Sequence, residues 1–174
     1  MKKSKRIVFC AMLAALSATL VIISRIIPFS TDIMPAIAGM LNIIIVVEIG
    51  AKWALASYLT AAVLCFIFGL NETSMLFLMF FGYYPIIKSL LEKLSSRSVE
   101  WLLKILIFNA AIVAAYAILI PIFGLEALGF GGKGYIIAVW VLSNIFFVLY
   151  DILMTKMIPI YFKRYHKSIS KYLR

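Results

Sequence analysis

Between residues 7 and 150 the chain is almost continuously apolar, and its charges sit in the breaks. No charged residue occurs in 7–24, 33–47, 53–71, 73–87, 105–125 or 134–150. A bilayer core of roughly 30 Å needs a helix of about 20 apolar residues. The six stretches, some slightly short, predict an all-α integral membrane protein: one six-helix transmembrane bundle in a single domain covering 1–174. The hydrophobic fraction of 65% and the mean hydropathy of +1.09 agree with that class. A net charge of +10 would suggest nucleic acid in a soluble protein. Here membrane topology explains it, and no nucleic-acid partner is expected.

With the N-terminus in the cytoplasm, 15 of the 17 basic residues fall in inner segments and only Arg25 and Lys133 outside. The positive-inside rule then places both termini in the cytoplasm of a multi-pass cell-membrane protein. An even number of spans requires the same. The basic start followed by an apolar run resembles a signal peptide, but the long run and the topology favour a retained first helix. Cys10 and Cys65 are too few for a disulfide framework and read as small packing residues.

Helix 1 is expected near 7–27 and ends at Pro28. Helix 2 carries Pro35 in its first turn, a tolerated position. Helix 3 runs to about Gly69. Thr73 is a plausible N-cap of helix 4. Pro85 in that helix cannot donate to the Phe81 carbonyl, so a kink is expected. Helix 5 ends at Pro121. Five of the nine glycines lie between Gly124 and Gly134, a candidate outer lid. Helix 6 starts near Tyr135 and leads into a basic amphipathic tail.

Catalytic groups are sparse. His166 is the one histidine, and no His, Cys, Asp and Glu grouping has metal-ligand spacing. The glycine loop around Gly129 and Gly134 lacks the P-loop pattern. No enzyme activity, metal or cofactor is expected.

Helix 1 holds two small-residue pairs at spacing four, Ala11/Ala15 and Ala14/Ala18. In lipid such spacing allows close helix approach, within the bundle or by a partner. A basic N-terminus, this AxxxA helix and six spans in 174 residues resemble an S component of an energy-coupling-factor transporter. These are membrane subunits that capture vitamins and related nutrients. The resemblance implies that the Ala11, Ala14, Ala15 and Ala18 surface docks a transmembrane coupling subunit bearing ATPases. It also implies that ligand enters from outside. No vitamin-specific signature is present.

Polar groups inside the spans supply the remaining candidates. Trp140, Asn144 and Asp151 share a face of helix 6. Asp151 lies 16 residues from Tyr135, roughly 24 Å deep, and Lys88 lies 15 residues from Thr73, at nearly the same depth. A lone intramembrane charge is costly, so Lys88 and Asp151 are expected to pair or to snorkel. Asn144 sits higher and is a candidate ligand contact with Trp140. Tyr84, Lys133 and Arg25 complete the candidate substrate site, although aromatic residues also collect at interfaces. Two other classes fit the composition: a structural or assembly protein without small ligand, and a small ion-coupled secondary transporter.

Overall fold

The computed structural model describes residues 3–24, 27, 33–68, 72–123 and 133–173, and leaves out the side chains of 72, 116, 119–123, 133–136, 172 and 173. Every regular element among them is helical. The order is α1 (Lys3–Ile23), α2 (Ile33–Glu48), α3 (Ala51–Ile67), α4 (Glu72–Leu76), a π-helical turn (Phe77–Phe81), α5 (Tyr84–Leu91), α6 (Arg97–Phe123), α7 (Lys133–Arg164) and α8 (His166–Leu173).

Four helical stretches are long and apolar enough to cross a bilayer: Lys3–Ile23, Thr73–Leu91, Arg97–Ala115 and Ile137–Arg164. The other two expected spans are shorter. α2 and α3 have 16 and 17 residues, or roughly 24 and 26 Å of rise. The tight turn between them limits both. Gly50 adopts φ +118° there, a backbone region reserved for glycine, and its N–H reaches back to Ile45 O at 2.9 Å.

Small residues set the packing of the first three helices. Ala14 and Ala18 of α1 and Ala54 and Ala61 of α3 are all at most 2% exposed. With no bulky side chains between them, polar groups reach the neighbouring backbone. Ser57 Oγ donates to Cys10 O at 3.2 Å, and Ser17 Oγ to Ala38 O at 3.1 Å. Such short-side-chain contacts are the usual means of close helix approach in lipid. Cys10 and Cys65 are both buried free thiols.

The expected kink appears as a full interruption. Gly82 N–H bonds to Phe77 O at 2.8 Å, five residues back instead of four. α5 then restarts at Tyr84 with Pro85 in its first turn, where the missing N–H costs nothing. α7 runs on past the expected span as one helix to Arg164, and the tail turns at Tyr165 into the separate α8.

Candidate functional site

The interruption leaves backbone carbonyls without helical partners, and in lipid each such group costs several kcal/mol. The neighbouring helices supply substitutes. Leu78 O loses Gly82 N–H to the π turn and accepts from Tyr58 Oη at 2.8 Å. Gly82 O loses Ile86 N–H, which bonds to Tyr83 O at 3.0 Å, and accepts from Asn42 Nδ2 at 2.8 Å. Phe81 O has no donor at Pro85 and lies directly against Gly39 of α2. Asn42 thus joins α2 to the broken helix and caps its free carbonyl.

Below the break, an aromatic layer fills the space between the helices. Phe80 stacks on Tyr84 at 4.7 Å and meets Phe108 edge-on at 4.9 Å. Phe108 and Phe147 stack nearly parallel at 4.4 Å, and Phe81 meets Tyr150 at 5.0 Å. Each such pair adds about 0.5–1.5 kcal/mol beyond area burial. Tyr84 is fully buried within this layer, so its ring is spent on packing.

The layer rests on a charge network. Asp151 Oδ1 accepts from Tyr84 Oη and Lys88 Nζ, both at 2.7 Å, and Oδ2 accepts from Lys104 Nζ at 3.1 Å. Lys88 Nζ completes its donor set with Glu92 Oε1 at 2.6 Å and Thr155 Oγ1 at 2.8 Å. Lys104 Nζ pairs with Glu100 at 2.7 Å, and Glu92 at 3.6 Å faces both lysines. The side chains of Lys88, Lys104 and Asp151 are only 2–3% exposed, whereas Glu92 is 32% exposed. The network therefore runs from the aromatic core to one rim of the bundle. Paired charges with filled hydrogen-bond sites are the tolerable state at this depth.

Lys104 was not expected here. It lies just outside the charge-free stretch 105–125 and counts as an inner-segment base, but α6 begins at Arg97 and carries it into the bundle. Its i, i+4 spacing from Glu100, and that of Lys88 from Glu92, were the available signals.

The remaining candidates lie apart from this network. Trp140 Nε1 donates to Asn109 Oδ1 at 2.7 Å, and Asn109 Nδ2 donates to Asn144 Oδ1 at 3.0 Å. Asn144 Nδ2 returns to the Trp140 carbonyl at 2.9 Å. Both amides thus join α6 to α7. Trp140 is 50% exposed, and a shallow groove of about 470 Å³ passes along Trp140, Val141, Asn144, Ile145, Val148 and Leu149. That lining is almost wholly apolar and suits acyl chains better than a polar nutrient. Lys133 begins α7, but its side chain lies outside the described residues, as do Arg25 and most of the glycine-rich loop. The four alanines divide: Ala14 and Ala18 face the bundle core, and Ala11 and Ala15 face outward. Among the described residues no group of three or more His, Cys, Asp or Glu side chains is placed to hold a metal. Comparison with family models, curated proteins and solved structures gives no match for this chain.

Proposed function

We propose that the chain is the substrate-binding membrane subunit of an energy-coupling-factor type transporter. It captures a vitamin or related small nutrient from outside and works with a coupling subunit and ATPases. In this reading six helical segments traverse the membrane, with both termini in the cytoplasm. Of the two shorter ones, α2 lies among its neighbours, and α3 packs on α1 and α2 and exposes Leu55, Leu59, Val63, Phe66 and Ile67 on its other side. The observation that carries the docking half of the proposal is the two-sided character of α1. Its Ala14/Ala18 side is committed to the bundle, and its Ala11/Ala15 side is open beside exposed Val8, Met12 and Leu16. A small-residue edge on an outer helix admits a second helix at close range.

The expected result for Ala15→Leu follows from that division. Uptake in cells containing the partner subunits should fall at least tenfold, while ligand binding by the isolated subunit is retained. Parallel loss of binding and uptake would remove the docking role from this edge.

One observation favours a second reading. An interrupted span beside an intramembrane charge network is a feature of ion-coupled secondary transporters. Uptake that persists without any ATPase partner and collapses with the ion gradient would select that reading.

A further inference from the structure

At one end of the bundle α1 begins, α2 ends, α3 begins and α8 lies across. Two contacts fix α8 there. His166 Nδ1 is 2.7 Å from Glu48 Oε1 at the end of α2, and Ile169 packs on the cluster that contains Phe9, Cys10, Ile45 and Ala54. Tyr161 Oη donates to the same Glu48 oxygen at 2.5 Å. Glu48 is 3% exposed through its side chain and is spent on these contacts.

The surrounding segments 3–10, 44–56 and 160–173 contain eight lysines and arginines and no acidic residue but Glu48. Lys163, Arg164, Lys167 and Lys171 are exposed around the docked helix. Arg6, one turn before Cys10, has its Nε buried with no hydrogen-bond partner among the described residues. Phe162 and Tyr165 are also exposed, at 47% and 55%, beside the bases. Aromatic and basic side chains side by side are characteristic of the headgroup level of a bilayer.

We propose that this end of the bundle, framed by Arg6 and α8, binds the phosphate headgroups of anionic phospholipids. Phosphate oxygens are acceptors for the Arg6 guanidinium and for the exposed Lys163, Arg164, Lys167 and Lys171, and within these segments the only carboxylate, Glu48, is already engaged by Tyr161 and His166. The amphipathic α8 keeps its apolar contact on the bundle and turns its lysines to the headgroups. The proposal goes beyond the transport role and stands or falls independently of it.

The test uses the full chain in nanodiscs of phosphatidylcholine, with and without phosphatidylglycerol, and reads the melting temperature. Phosphatidylglycerol should raise it in the wild type. Arg6→Gln and the pair Lys167→Gln/Lys171→Gln should lose most of that rise. The apparent affinity for the lipid should fall about fivefold per neutralised base. Lys93→Gln, in the turn after α5, should keep it. Inorganic phosphate added to phosphatidylcholine discs should have no effect. Native mass spectrometry of retained lipid gives a second readout should a variant be too unstable to melt cleanly. Equal melting in the two lipids, or a shift that survives in the variants, overturns the proposal. So does a shift reproduced by inorganic phosphate, which would make this a free-anion site. Stabilisation by an acidic polypeptide but not by phosphatidylglycerol also overturns it, in favour of a protein partner.

Discussion

Asp151→Asn is expected to lower the stability of the purified chain by about 3 kcal/mol, because it removes the most deeply buried counter-ion of two lysines. Asp151 accepts from Lys88, Lys104 and Tyr84, and its side chain is 2% exposed. The asparagine keeps the shape but cannot balance the Lys88 and Lys104 charges. Glu92 and Glu100 remain as partners, which holds the loss below that of a fully orphaned pair. Lys88→Met should also destabilise, since it strips Asp151 of its nearest cation. The double variant should lose less than the sum of the singles, by about 1–3 kcal/mol, the range found for residues in direct contact. Chemical or thermal unfolding of all four proteins in one detergent measures this. Strict additivity would show that the network is not energetically coupled.

Gly39→Ala is expected to cost about 3 kcal/mol or to prevent folding. A methyl at Gly39 would overlap the Phe81 carbonyl oxygen and sit 2.9 Å from its carbon and 3.0 Å from Tyr150 Oη. The main obstruction is backbone, which cannot rotate away as a side chain tip can. Tyr150 also donates to Ala36 O at 3.1 Å, so its hydroxyl is fixed. Separating α2 from the broken span would take Asn42 away from Gly82 O and leave that carbonyl bare. Expression level, size-exclusion profile and melting temperature report the outcome. A variant as stable as wild type would mean that α2 and the interrupted helix are not in close contact.

These two sites mark how far the sequence could be read. The apolar stretches were plain because lipid imposes a minimum length of uninterrupted hydrophobicity. The common depth of Lys88 and Asp151 followed from counting residues along two helices of fixed rise. Pro85 announced its break because it lacks an N–H. What the break requires from its neighbours was not legible. The acceptors met by Asn42 and Tyr58 are backbone carbonyls, which carry no residue identity. The AxxxA spacing was visible, but a spacing of four marks a helix face without saying what covers it. Only the packing of α1 on α2 and α3 separates Ala14 and Ala18 from Ala11 and Ala15. Asn109 and Asn144 were each recognisable as polar groups in apolar helices. Their mutual bond depends on how α6 and α7 face each other, which distant segments of sequence do not specify.

The transport account rests on capture of a small nutrient by the isolated subunit. The most direct measurement is a thermal-shift screen of vitamins and their precursors against the purified chain. A ligand that binds only the folded form stabilises it by about 2.7 kcal/mol at a hundredfold excess over Kd. The account predicts that one compound raises the melting temperature with saturable concentration dependence, in the absence of any coupling subunit or ATPase. A folded, monodisperse protein whose melting temperature no compound in the panel raises would contradict it.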